Sequence, residues 1–108
     1  MEYKYIKTIT FESLKENEGA KFEIDDRFAL ALFLVDNKVY AFDNKCPHMG
    51  MPLCEGRIEN NENLVCRYHF WKFNIKTGNA TFAPSIYAKT FETKIDDTDG
   101  FVYVKIPA

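Results

Sequence analysis

The sequence predicts an all-β fold, a sandwich or a barrel, on three observations. Aromatic residues are abundant, with ten Phe and six Tyr among 108 residues, a composition that suits pleated sheet better than helix. Short apolar stretches recur at brief intervals along the whole chain. Clusters of Asn, Asp and Gly separate them, as turns separate strands. There is no internal repeat, low-complexity tract or linker.

Taken in order, Tyr3 to Thr8 reads as the first strand. Phe11 to Asn17 is ambiguous and accommodates one helical turn, and Lys21 to Ile24 is the next strand. Phe28 to Val35 is a continuous apolar run of eight residues, the pattern of a strand buried on both faces. Asp36-Asn37-Lys38 is a hairpin turn, because Asn and Asp tolerate the left-handed backbone that tight turns need. Val39 to Phe42 returns from it, and a loop runs from Asp43 to Glu55. Gly56 to Ile58 and Leu64 to Arg67 flank the polar turn Glu59 to Asn63. Trp71 to Ile75 and Ala80 to Phe82 flank Lys76 to Asn79. Phe91 to Ile95 and Phe101 to Ile106 flank a turn ending in Asp99-Gly100, a strong hairpin signal.

The length suits one domain over 1–108, and 46% apolar residues make the chain globular rather than disordered. A net charge of −2 provides no basic field for nucleic acid or an anionic membrane. The N-terminal stretch Met1 to Lys7 lacks the apolar core of a signal peptide. The longest apolar run is far short of a membrane span. The expectation is a cytoplasmic protein without a membrane anchor. Three cysteines make a disulfide framework a poor reading, and spaced Cys and His then point to metal or cluster ligation.

Cys46-Pro47-His48 and Cys66-Arg67-Tyr68-His69 are where Cys and His sit close together. They use both histidines and two of the three cysteines. Each falls in or beside a loop between strands, so two facing loops could supply four ligands to one site. The residues leave three readings open. They are ordinary structural residues, or a tetrahedral zinc site of the Cys₂His₂ kind, or a mixed cluster with two thiolates on one iron and two imidazoles on the other. The third suits two loops that each give one ligand of each type. Cys54, the remaining cysteine, reads as a small apolar residue of the interior.

The pattern Cys46-x-His48, seventeen residues, Cys66-x-x-His69 resembles the signature of the Rieske 2Fe–2S proteins. Cys46 to Gly50 with Pro52-Leu53 and Glu55-Gly56 is similar to that family's first cluster loop. Trp71 to Asn74, with Thr77-Gly78 shortly after, is similar to the stretch beyond its second cluster loop, and Pro84 stands where the family places a proline loop. The likeness extends from about Phe28 to Val104. Phe70 departs from the family's Gly after the second ligand His, and Asn74 from its usual Asp. The resemblance implies an antiparallel β-sandwich with a small cluster-binding subdomain. It implies one 2Fe–2S cluster, with Cys46 and Cys66 on the buried iron and His48 and His69 on the outer one.

For the potential, the resemblance carries an implication through charge. Two ferric irons, two sulfides and two thiolates sum to a neutral site, so an added electron is accepted more easily than by a four-thiolate cluster. High-potential members carry two further cysteines, paired as a disulfide, where this chain has Met51 and Tyr68. They also use a Ser and a Tyr hydroxyl where Trp71 and Phe73 stand here. The expectation is the low end of the Rieske range, which spans about −150 to +300 mV.

A saturated cluster offers no open position for substrate, and both histidines are committed. The resemblance therefore implies an electron carrier rather than an enzyme, like the Rieske ferredoxins that pass electrons from a flavin reductase to a terminal oxygenase. Met49, Met51, Pro52, Phe70 and Pro84 would form an apolar rim around the histidines for transient docking. The small Rieske subunit of an NAD(P)H nitrite reductase is the alternative, and a zinc-bound interaction module the third.

Overall fold

The computed structural model describes residues 2–47, 50–68, 70–83 and 85–107. In chain order the strands are β1 (Tyr3–Thr10), β2 (Gly19–Glu23), β3 (Ala29–Val35), β4 (Lys38–Asp43) and β5 (Arg57–Glu59). They continue as β6 (Asn63–Val65), β7 (Lys72–Asn74), β8 (Thr90–Phe91), β9 (Thr93–Ile95) and β10 (Phe101–Pro107). Two 3-10 helices, Phe11–Ser13 and Leu53–Glu55, interrupt them. The first is the single helical turn that the sequence accommodates after β1. The strands form three antiparallel sheets, in the orders β1-β10-β9, β2-β3-β4-β8 and β5-β6-β7.

β3 explains why its sequence is apolar at every position. Leu30 and Leu32 point to one side and join Val39, Ala41, Val102 and Val104 in the core between the first two sheets. Ala31, Phe33 and Val35 point to the other side and join Phe42, Leu64 and Phe73 in a second core, under the third sheet. Successive strand side chains alternate between faces, so a strand between two cores has no face left for polar residues. The rings of Phe33 and Phe42 meet edge to face with centroids 6.1 Å apart, a favoured aromatic geometry. The fold is thus an antiparallel sandwich with a smaller three-stranded subdomain on its outer face.

The turn residues behave as their types require. Asp36 and Asn37 have φ of 51° and 64°, and Val35 pairs with Lys38 across them, as in a two-residue hairpin of the primed kind. Asn60 and Asn61 also take the left-handed backbone between β5 and β6, with φ of 55° and 54°, in a loop one residue longer, since Glu59 pairs with Asn63.

Two expected strands differ. Phe91 to Ile95 is not continuous: Phe91 pairs with Ala41 of the central sheet, whereas Thr93 to Ile95 pair with β10. The chain changes sheet at Glu92, making a corner of the sandwich. Ala80 to Phe82 is not a strand. Ala80 makes one bridge to Phe73, and its N–H then goes to the carbonyl of Ile86, 2.8 Å away. The chain bends there and turns Phe82 outward, leaving it 58% exposed. Among the described residues no helix is long and apolar enough to cross a membrane.

Candidate functional site

Cys46 and Cys66 open two hairpin tips of the same construction. In the first, Lys45 bridges to Pro52, the Cys46 N–H donates to the Met51 carbonyl at 2.8 Å, and the Gly50 N–H returns to the Cys46 carbonyl at 2.7 Å. In the second, Val65 pairs with Lys72, the Cys66 N–H donates to the Trp71 carbonyl at 2.8 Å, and the Phe70 N–H returns to the Cys66 carbonyl at 3.0 Å. Both tips turn through the left-handed region at the corresponding residue, Gly50 at φ 71° and Phe70 at φ 58°.

Both cysteines are buried, at 2% and 1% exposure, and both belong to the core cluster that contains Leu53, Leu64 and Phe73. They form no disulfide. The structure therefore brings Cys46 and Cys66 into one apolar environment at the bases of two matched loops. His48 and His69 lie outside the described residues, as do Met49 and Pro84 of the expected rim.

The loops are held from behind by residues the sequence does not single out. Asn44 is buried just before the first tip. Its carbonyl accepts the Leu53 N–H at 2.9 Å and its side-chain Oδ1 accepts the Cys54 N–H at 2.7 Å. It thereby staples the 3-10 helix Leu53–Glu55 to the start of the loop. Cys54 is half-buried and packs against the same core, in line with its reading as an interior residue. Asn74, in place of the family's Asp, accepts the N–H groups of Lys76 and Thr77 on Oδ1 at 2.9 and 3.1 Å. An amide oxygen serves this turn as a carboxylate would.

Charged groups tie the subdomain together on its surface. Glu59 accepts from Lys72 Nζ at 2.6 Å, and that hydrogen bond, with the Lys72 and Arg57 charges, lowers the Glu59 pKa against some desolvation. Glu55 accepts a hydrogen bond from Tyr68 Oη at 2.6 Å and lies 3.4 Å from Arg67 Nη1. The hydrogen bond to Glu55 holds the Tyr68 phenol above its usual range. Glu55 and Tyr68 carry no periodic signal that could announce a contact between them.

Around the tips the exposed surface is aromatic. Phe70 is 66% exposed, and Tyr68 and Phe82 are exposed with it. The Trp71 ring packs against the core on one side and meets Phe82 edge to face at 4.6 Å. Of the described rim residues, Phe70 stands out into solvent, while Met51 and Pro52 are half-buried. Phe82, against the Trp71 ring, extends the apolar surface beyond what the sequence suggests.

This fold and this pair of buried thiols are those of an iron–sulfur protein of one kind. The chain belongs to the Rieske [2Fe-2S] domain family, which it matches over residues 4–93, and the group it carries is one 2Fe–2S cluster of that type. It is 30% identical over 98 residues to the ferredoxin component of the naphthalene 1,2-dioxygenase system of Pseudomonas putida, covering 90% of this chain and 92% of that protein. Among solved structures it resembles the Sphingomonas yanoikuyae B1 ferredoxin, at 30% identity and a TM-score of 0.82, over 96% of this chain and 100% of that one. A Mycobacterium tuberculosis structure named as an NADH-dependent nitrite reductase small subunit has the same fold, at 18% identity and a TM-score of 0.87, over 100% and 99% of the two chains. The donor chemistry fits the cluster: two buried thiols at matched tips meet the thiolate half of what a Rieske centre requires.

Proposed function

We propose that residues 1–108 work as one Rieske unit in the cytoplasm, a one-electron carrier between a flavin reductase and a terminal oxygenase. Cys46 and Cys66 hold one iron of the cluster, and His48 and His69 the other. The observation that carries this reading is the pair of matched hairpin tips, each opened by a buried cysteine whose own N–H and carbonyl close the turn. The relatives point the same way, since proteins 30% identical to this chain are named as ferredoxins or ferredoxin components.

When bound, the cluster supplies reversible one-electron transfer. The chain contributes a dry base for the thiolates and an exposed aromatic surface beside the second tip. Phe70 and Phe82 are suited to brief apolar contact with a larger redox partner. The potential of such a centre is tuned by hydrogen bonds and exposure. Phe73, one of the positions where high-potential members use a hydroxyl, is fully buried in the core. Trp71, the other, also lacks a hydroxyl and packs against that core. The potential accordingly lies at the low end of the Rieske range.

Electron paramagnetic resonance of the dithionite-reduced protein, with a redox titration, tests this. The expected result is a Rieske signal with a midpoint below about +100 mV, and loss of pigment when His48 and His69 are both replaced by alanine. A colourless protein with one bound zinc overturns the reading. A stable complex with a large flavin- and haem-bearing partner replaces the shuttle by a nitrite reductase subunit.

A further inference from the structure

Glu55 and Tyr68 belong to different ligand loops, yet they form the short hydrogen bond that joins them. Glu55 ends the 3-10 helix just after the first tip. Tyr68 stands in the second tip, between Cys66 and His69. The Tyr68 hydroxyl donates to Glu55 Oε1 at 2.6 Å, Arg67 Nη1 lies 3.4 Å from the same oxygen, and the Arg67 guanidinium lies 6.0 Å from the centre of the Tyr68 ring. We infer that Glu55 is a positioning residue for the second ligand loop, fixing Arg67 and Tyr68 and so the span between Cys66 and His69.

The geometry gives Glu55 a firm base. Gly56, the next residue, donates its N–H to the Leu53 carbonyl at 2.9 Å, and the preceding Cys54 N–H is held by the Asn44 side chain at 2.7 Å. The carboxylate therefore projects from a segment pinned to the start of the first loop. A tyrosine ring with two rotatable bonds loses little freedom in reaching it, and a hydrogen bond to a charged acceptor is stronger than a neutral one. The partners are partly exposed, so the bond contributes little to global stability. Its effect falls on the local opening of the tip, the motion that lets a ligand leave the metal.

This inference rests on Cys66 and His69 being ligands. Its test uses the cluster-loaded full chain and compares the wild type with Tyr68→Phe, Glu55→Ala, Glu55→Gln and the Tyr68→Phe/Glu55→Ala double variant. Two quantities are read: the rate at which visible absorbance is lost to a strong iron chelator, and the melting temperature of the cluster-free protein. Tyr68→Phe and Glu55→Ala are expected each to speed bleaching several-fold, with the double variant no faster than the faster single one. Glu55→Gln keeps an acceptor oxygen without the charge and is expected to bleach at a rate between those of the wild type and Glu55→Ala. The cluster-free melting temperatures are expected to stay together. Tyr68→Phe bleaching at the wild-type rate, additive single effects, or Glu55→Gln as fast as Glu55→Ala each overturn the inference. If Glu55→Ala fails to fold, Tyr68→Phe, which removes one oxygen, decides alone. A wild-type protein without the Rieske signal overturns the ligand reading and this inference with it, a result distinct from a normal signal with unchanged bleaching.

Discussion

Gly56 passes so close to Val65 that a Cβ at Gly56 would lie 2.4 Å from the Val65 carbonyl oxygen. This is where the chain leaving the first hairpin tip meets the strand entering the second. Cys66 is the next residue after Val65, so the approach of the two backbones sets how near the two tips come. Gly56→Ala must push β5 from β6 at their first paired residues, Arg57 and Val65. Overpacking of this kind costs about 1–3 kcal/mol. The expected outcome is a lower melting temperature for the cluster-free protein and a smaller yield of loaded protein, read by thermal denaturation and by iron content. A Gly56→Ala protein as stable and as fully loaded as the wild type would show that the backbones part without consequence.

Asn44→Ala removes the acceptor for the Cys54 N–H while leaving the Asn44 backbone bond to Leu53 in place. The lost partner sits in a part-buried setting, where an unmet donor costs about 1–3 kcal/mol. Thermal denaturation of the cluster-free protein is expected to show that loss, because the staple acts on the 3-10 helix whether or not iron is bound. An unchanged melting temperature would mean that water takes over the bond.

The parts of this molecule that were legible in its sequence are those where one residue type admits few conformations or few chemistries. Asp36-Asn37 announces its turn because those side chains tolerate the left-handed backbone they adopt. The unbroken apolar run of β3 announces burial on both faces, which its two cores explain. Cys46 and Cys66 stand out in the sequence by their spacing from His48 and His69, and the structure buries both cysteines at matched hairpin tips. The corner at Glu92 was not legible. Phe91 and Thr93 continue one alternating pattern, and the switch of sheet is decided by pairing with strands distant in sequence. Asn44 and the Glu55–Tyr68 bond were hidden for the same reason, since an exposed-type residue acquires its partner through the tertiary fold.

The Tyr103–Asp99 pair gives the β9–β10 hairpin a pH signature. Tyr103 Oη donates to Asp99 Oδ2 at 2.7 Å, and Lys7 Nζ lies 3.5 Å from the same oxygen. The bond to Asp99 pushes the Tyr103 phenol from 10.0 up to about 12, and the same bond, with backbone donation from Phe101, lowers the Asp99 carboxyl. A phenol whose proton is held more tightly in the folded state stabilises that state fully below its unfolded pKa. The contribution is lost as pH rises through about 12. The lowered carboxylate works in the opposite sense, contributing above its unfolded pKa and losing the contribution as pH falls through its folded value. The melting temperature of Tyr103→Phe is expected to lie below the wild type's at neutral pH, with the gap closing between pH 10.0 and about 12 and again in acid. A gap constant across that alkaline range would remove the hydrogen bond as its cause.

Phe70 combines a strained backbone with an exposed ring, and the two can be separated by mutation. Its φ of 58° matches the 71° of Gly50 at the corresponding place in the first tip, but a phenylalanine in the left-handed region carries a penalty of about 1–2 kcal/mol that glycine does not. Phe70→Gly removes that penalty, against the extra chain entropy a glycine loses on folding, about 0.5–1 kcal/mol. The ring is 66% exposed, so its loss sacrifices little packing. The expected outcome is a melting temperature equal to or slightly above the wild type's, with the Rieske signal unchanged. Phe70→Val, β-branched and no better suited to the left-handed region, is expected to fall below both. Docking should respond differently: without the ring, electron transfer to an oxygenase slows in stopped-flow measurements although the loop is relaxed. A Phe70→Gly protein that loses stability would show that the ring, and not the backbone, is what this position requires.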